Sequence, residues 1–347
     1  MAMSRLVHYV GSLPPEINTS PRDGMRWIID HSADAGLSTL PWDSDPRWIV
    51  EFLLGLAERG EALEVVQSGD WGDYDKQQRY RVKSGVKLTA SHVSMRRAER
   101  IRQNLAVYRE LVADDSRLDG VPFQQSLPSP LDLSLFTFGQ RPVLLKHVAT
   151  YADALAAEVT DLHATDGDDL VWQLEAPTVL VLLNKTPRPL RGFVARRLAA
   201  QMAGFVERLP QEARLILHLC YGNLNDRELV APRDLAGVDV FLNALHTRLR
   251  AQNRAIPPVH VPAAYGSQPP PVRPQFYAAL GSVHADWPLV AGIVDENQPD
   301  DSRKALALFE AAADRSSHAV ATACGLGRHS EADARAAAAL MTELSTA

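Results

Sequence analysis

Cysteine is scarce in this chain: only Cys220 and Cys324 occur among 347 residues. A disulfide framework is therefore excluded, and with no apolar leader in MAMSRLVHYVGS both thiols are expected to stay reduced. Positive charge is also in short supply, since 36 Lys and Arg against 42 Asp and Glu give a net charge of −6. That balance argues against a nucleic-acid partner, and the arginines of residues 96–102 read as a solvated helix face. No stretch offers the roughly 18 uninterrupted apolar residues of a membrane span. Together these absences predict a cytoplasmic protein without a membrane or nucleic-acid partner.

What remains is ordinary material for a large core: 46% hydrophobic and 22% charged residues, with a mean hydropathy of −0.15. Short β-branched or apolar runs recur at residues 6–10, 37–40, 121–127, 170–174, 215–219, 238–242, 289–294 and 319–323. Between them, residues 47–61, 93–112, 143–162, 191–209, 303–314 and 331–346 are long and rich in Ala, Leu, Arg and Glu. Strands alternating with helices imply a parallel sheet, and eight such units imply a (β/α)8 TIM barrel spanning residues 1–347 as a single unit. Two stretches resist the scheme. Residues 69–89 are polar and aromatic, and residues 255–273 are proline-rich, so both are expected to be insertions over the barrel mouth.

In a parallel barrel the strand ends build the site. The predicted ends are Gly11 and Ser12 in HYVGSLP, Glu175 in VWQLEAP, His218 and Cys220 in LHLCYGN, Asp295 to Asn297 in GIVDENQP, and Cys324 in ATACGLGR. Residues two apart on a strand share a face, about 6 to 7 Å apart, so His218 and Cys220 can reach one ion. Two thiolates and an imidazole suit zinc, which stabilises a bound thiolate at neutral pH. The competing reading is that each cysteine is a small buried hydrophobe.

Taken in order, HYVGSLP, SLPSPLDLSLFTFG, WQLEAP, LHLCYGN, GIVDENQP and ACGLGR span residues 8–328. Through them the chain resembles the catalytic barrel of cobalamin-independent methionine synthase and its single-barrel relatives. The resemblance implies that His218, Cys220 and Cys324 bind catalytic Zn2+ and that Gly11, Ser12 and Glu175 meet homocysteine. Phe136 stands where the family has a tryptophan that stacks on the pterin. Asn297, after Asp295, stands where the family has a proton-donating histidine, and asparagine cannot protonate a folate nitrogen. The family's glutamate ligand, at the end of the strand after H-x-C, falls at Asn243 or Ala244 if DVFLNALH is that strand. His246 is then a replacement ligand or, like His8 and His284, structural. Asp43 and Asp45 are the nearest counterparts of the acidic stretch that holds the homocysteine amine.

The expected catalytic set is thus Glu175, Asp295 and Asn297, and the substrate-binding set Gly11, Ser12, Phe136 and Glu175. The implied function is zinc-dependent alkyl transfer to a small-molecule thiol such as homocysteine. The donor is expected to differ from methyltetrahydrofolate, for example a methylcorrinoid or a small electrophile. Alternatives are epoxide opening, as in epoxyalkane:coenzyme M transferase, and a barrel that binds zinc or a thiol without turnover.

Overall fold

The structure, a computed structural model, describes residues 5–32, 35–44, 47–139, 143–224 and 227–347. Eight short strands form one parallel sheet: β1 (Leu6–Val7), β2 (Leu40–Pro41), β5 (Phe123–Pro128), β6 (Leu170–Glu175), β7 (Arg214–His218), β8 (Val259–Pro262), β9 (Leu289–Val294) and β10 (Ala319–Thr322). The remaining two, β3 (Leu63–Gln67) and β4 (Arg79–Val82), pair antiparallel as a hairpin. The sheet order is β1-β10-β9-β8-β7-β6-β5-β2. All six residues of β6 and all six of β9 are buried, as expected for strands covered by helices on one side and packed into a barrel interior on the other.

The sheet curls until its two edges approach, but they do not zip together. A single parallel bridge joins Val7 to Leu37, with Val7 N–H donating to Gly36 O at 2.8 Å and Ser38 N–H donating to Val7 O at 2.9 Å. The expected barrel is therefore a strongly curled eight-stranded sheet whose seam is one bridge in place of a ladder. Both edge strands are only two residues long, which limits what the seam can pair.

One strand lies elsewhere than the sequence predicts. Residues 238–242 are part of the helix Ala236–Ala251, and the sheet instead takes Val259–Pro262 from the stretch read as a proline-rich insertion. The reason lies in periodicity. Val238, Phe241, Leu242, Leu245 and Leu249 are each at most 2% exposed and form a helical stripe that a five-residue window reads as a strand. In β8 the prolines cost little, because Pro257 and Pro258 precede the strand and Pro262 ends it, leaving Val259 N–H and Ala263 N–H to pair with Pro288 O and Gly292 O. Consequently the chain after β8 reads Ala263-Ala264 at the mouth, and Asn243 and Ala244 lie on a helix outside the sheet.

The β3–β4 hairpin leaves the barrel between β2 and β5, and its connecting loop brings Trp71 and Tyr74 over the mouth. Tyr74 Oη accepts Leu224 N–H at 3.0 Å, and Asp73 pairs with Arg227, so the loop is tied to the segment after β7. No helix among the described residues is long and apolar enough to cross a membrane.

Candidate active site

Parallel strands deliver all their C-terminal ends to one face, and the cysteine-bearing ends meet there. β7 ends at His218, and the chain continues through Leu219 and Cys220 into a turn at Gly222, whose φ is +83°. A Cβ on Gly222 would sit 2.6 Å from Tyr74 Oη, so the turn and the lid loop both require glycine. Cys220 Sγ accepts Gly222 N–H at 3.2 Å. Cys324 follows β10, and its own loop leans on Ser12: Ser12 O accepts Leu326 N–H at 2.8 Å, and a Cβ on Gly325 would collide with Ser12 Oγ. Ligand atoms of His218, Cys220 and Cys324 lie within 4.8 Å of one another, and no fourth His, Cys, Asp or Glu among the described residues joins them.

The electrostatics are those of a thiolate site. The hydrogen bond from Cys220 holds the Cys324 thiol well below its usual range, against the cost of burial, with help from His218 and the Arg328 guanidinium. The same shared proton, together with burial, pushes Cys220 up. Arg328 Nη2 stands 3.4 Å from Cys324 Sγ, a cation beside the sulfur that loses its proton more readily. Both cysteines are free thiols.

Below the sulfurs the barrel interior is polar. His218, 3% exposed, packs against His260 at a centroid distance of 4.5 Å with the ring planes tilted by 32°, and its Nδ1 has no hydrogen-bond partner. His260 is fully buried, with Nε2 2.9 Å from Thr322 O and Nδ1 3.3 Å from Leu219 O. Burial, followed by its neighbours His218 and His8, keeps His260 well below the usual histidine range. Burial likewise pushes His8 down to about 3, so the ring is neutral, and it spans Ser38 Oγ at 2.8 Å and Gln173 Oε1 at 3.1 Å. Gln173 Nε2 then donates to Val10 O at 2.6 Å and to Glu175 Oε1 at 2.9 Å. Sequence reasoning missed His260 and Gln173; the signal for His260 was the VHVP run set aside with the prolines.

Above the sulfurs is a cavity of about 850 Å3, part of it open to solvent. Its walls are mostly apolar: Trp48, Leu53, Trp71, Phe136, Leu224 and Leu229. Phe136 is buried between two indoles, with Trp48 edge-on at 5.7 Å and Trp71 at 5.6 Å. Two carboxylates stand in this apolar wall. Glu175 accepts from Trp48 Nε1 as well as from Gln173, and burial followed by the charge of Asp43 pushes its carboxyl up to about 8. Asp43 Oδ2 accepts from Ser126 Oγ at 2.9 Å, while Asp45 lies outside the described residues.

Of the predicted site residues, His218, Cys220, Cys324, Glu175, Ser12 and Phe136 all line this cavity. Gly11 does not, but it lies between Val10 and Ser12, which do, and its φ of +145° is a backbone conformation that L side chains rarely adopt. Asp295 and Asn297 stay outside the lining. Asp295 Oδ1 accepts Asn297 N–H at 2.9 Å, Asn297 is exposed, and its side chain donates to Glu296, which in turn meets His329 Nδ1 at 2.9 Å. Asn243, Ala244 and His246 are on the helix Ala236–Ala251, away from the sulfurs, so none stands in the fourth ligand's place.

The residues present fit a zinc ion. Two sulfurs and one imidazole nitrogen are its preferred donors, and here they lie within 4.8 Å of one another. No protein-family model matches the chain, and no curated protein is significantly similar to it in sequence. Solved structures do match. A B12-independent methionine synthase from Shewanella sp. W3-18-1, in complex with selenomethionine, aligns over 98% of this chain and 97% of its own with a TM-score of 0.54 and 15% identity. A structural-genomics target from Listeria monocytogenes, assigned as a vitamin B12-independent methionine synthase, aligns over 99% and 98% with a TM-score of 0.52 and 11% identity. Over nearly its whole length, therefore, this chain has the fold of those methionine synthase structures.

Proposed function

We propose that the protein is a zinc-dependent alkyltransferase acting on a small-molecule thiol, a divergent relative of the B12-independent methionine synthases. The observation that carries this reading is the convergence of His218, Cys220 and Cys324 on the floor of a cavity whose wall holds Glu175 and Asp43. Bound through these three side chains, zinc would hold the substrate thiol as a thiolate at neutral pH. The thiol would give up its proton to solvent on binding, its sulfur lone pair would form the new C–S bond as the bond from carbon to the leaving group breaks, and the leaving group would keep that electron pair. With no fourth ligating residue beside them among the described residues, a zinc held by these three would keep a position for the substrate sulfur, which supports turnover over a binding-only barrel.

Glu175 and Asp43 serve the acceptor. A carboxyl raised to about 8 beside a second carboxylate marks a place where a cation is favourable, which suits the ammonium of an amino-thiol such as homocysteine. The aromatic wall serves the donor. With Trp71 and Tyr74 over the mouth and Asn297 outside the cavity, a compact electrophile that needs no protonated leaving nitrogen fits better than methyltetrahydrofolate or a corrinoid-bound methyl. That geometry also favours epoxide opening as the second reading, since an epoxide is both compact and apolar. Two free thiols suit a reducing, cytoplasmic setting.

The deciding experiment is zinc-edge X-ray absorption on the purified protein with and without homocysteine. Binding of the thiol adds a sulfur neighbour at about 2.3 Å if the reading holds. A protein that takes up no zinc at the cysteines, or whose zinc environment ignores every thiol offered, refutes it.

A further inference from the structure

A second cluster of ligating side chains stands outside the cavity. His246 projects from the helix Ala236–Ala251, while His284 and Asp286 lie in the loop that leads into β9. That helix follows β7 and runs back along the barrel, so its C-terminal half and the loop entering β9 are at the N-terminal face, opposite the sulfurs. The two imidazoles stack with centroids 3.7 Å apart and planes 21° apart. His246 Nε2 is 2.9 Å from Asp286 Oδ2, and His284 Nδ1 is 3.6 Å from Asp286 Oδ1. Nitrogen and oxygen atoms from all three residues fall within 4.8 Å of one another.

The arrangement is held in place from beneath. Asn243, one turn before His246, accepts His284 N–H at 3.0 Å through Oδ1 and donates through Nδ2 to Ser282 O at 2.8 Å and to Asp239 Oδ1 at 2.6 Å. Asp286 N–H donates to His284 Nδ1 at 3.2 Å, and Arg315 Nη2 approaches His284 O at 3.4 Å. A bare ion pair between His246 and Asp286 would not require a second imidazole laid face to face on the first, where protonating both would be repulsive. One cation at the nitrogen edges of the two rings, bound by an in-plane lone pair from each imidazole and by the carboxylate, satisfies all three groups at once.

We propose that His246, His284 and Asp286 form a second metal site, selective for a borderline divalent cation such as Zn2+ or Co2+, which ties the helix after β7 to the loop before β9. Two imidazoles and one carboxylate suit such ions and leave positions for water, whereas the half-exposed setting and single carboxylate are poor for Ca2+ or Mg2+. This inference does not depend on the alkyltransferase reading.

The test is a Co2+ titration of the full-length protein carrying a single equivalent of Zn2+, which the two-cysteine mouth takes first and which leaves the far face empty, followed by absorption spectroscopy, alongside His284→Ala and Asp286→Asn. The parent should take up Co2+ with visible bands but without the near-ultraviolet band of a cobalt–thiolate bond. Each variant should bind more than about 10-fold more weakly, since even outer-shell losses weaken metal sites by about 10 to 100-fold. Thermal melting adds a second readout: Zn2+ should raise the midpoint of the parent and leave that of His284→Ala unchanged. Uptake equal in parent and variants, no uptake at all, or cobalt appearing only with a thiolate band would overturn the site.

Discussion

At the mouth of the barrel, His218, Cys220 and Cys324 meet in a buried, sulfur-bearing pocket; at the opposite face, His246, His284 and Asp286 meet half in solvent with only nitrogen and oxygen to offer. Both clusters have three ligating residues drawn from two segments of chain, yet their surroundings differ in kind. Around the sulfurs, burial and neighbouring charges move several groups far from their ordinary ranges: Cys324 down, Cys220 up, Glu175 up to about 8. At the other face the resolved shift is a lowered Asp286, caused first by its hydrogen bond from His246. Strong perturbation costs stability and persists where chemistry uses it. The difference supports the proposed division, reaction at the mouth and cross-linking at the far face.

The largest expected effect separates the two ends directly. Cys324→Ala removes a ligand sulfur from the mouth and should lower zinc affinity there by more than about 100-fold, beyond what outer-shell changes do, and abolish thiol alkylation. Because Cys324 lies in a loop after β10, the fold should survive with an unchanged circular dichroism spectrum. Metal analysis after dialysis checks this, with His246→Ala as the control that keeps the mouth metal.

The next effect concerns the donor. With Asn297 exposed and outside the cavity, no general acid occupies the place the family resemblance assigns to one. Turnover with methyltetrahydrofolate should therefore be slower than with a reactive alkyl donor by roughly 10² to 10⁴-fold, the usual contribution of a general acid. Parallel assays of methionine formation from the two donors measure the ratio, and a ratio near unity would point to another proton source, such as His329 on Glu296.

How much of this was legible beforehand follows the same division. The meeting of His218, Cys220 and Cys324 at the mouth could be read because LHLCYGN and ACGLGR place them at strand ends, which a parallel sheet brings to one face. The strand between them could not. VDVFL and VHVP are both short and β-branched, and choosing between them needs the helical stripe from Val238 to Leu249. Misplacing that strand sent the missing fourth ligand to Asn243 and hid His260. The buried polar column escaped notice for a different reason: His8 and Gln173 satisfy each other across 165 residues of sequence, and such pairing leaves no local pattern. Two-residue edge strands, joined at one bridge, likewise leave no sequence trace that distinguishes a seam from a ladder.

A smaller effect tests what the mouth reads. Glu175→Gln keeps the shape of the side chain but removes the charge that would face an ammonium, a charge-assisted hydrogen bond of about 1.5 to 3 kcal/mol, or roughly 10 to 100-fold in affinity. Homocysteine binding should weaken by that factor, a thiol of similar length without the amine should bind as before, and zinc content should not change. Calorimetric titration of both thiols into both proteins gives the four constants required. Equal losses for the two thiols would detach Glu175 from amine recognition and move the acceptor towards a thiol bearing another polar group.

The smallest expected effect at the mouth is none, and it comes from the residue that sequence reading placed nearest the missing ligand. Asn243 is half-buried on the outside of the barrel, where its amide holds Ser282 O and His284 N–H. Asn243→Ala breaks both of these bonds and the one to Asp239 Oδ1, and frees the loop that carries His284 and Asp286, at a cost of about 2 to 4 kcal/mol for two neutral hydrogen bonds and one to a carboxylate at a partly solvated site. Metal affinity at the far face should drop with the loss of that support, by about 10-fold or more, as expected for an outer-shell partner. At the sulfurs nothing should change, because no described contact links Asn243 to His218, Cys220 or Cys324. Zinc retention and thiol alkylation in this variant should therefore match the parent while its melting midpoint falls. Loss of mouth zinc from Asn243→Ala would mean that the helix Ala236–Ala251 does reach the catalytic metal, and the division between the two ends of the barrel would fail with it.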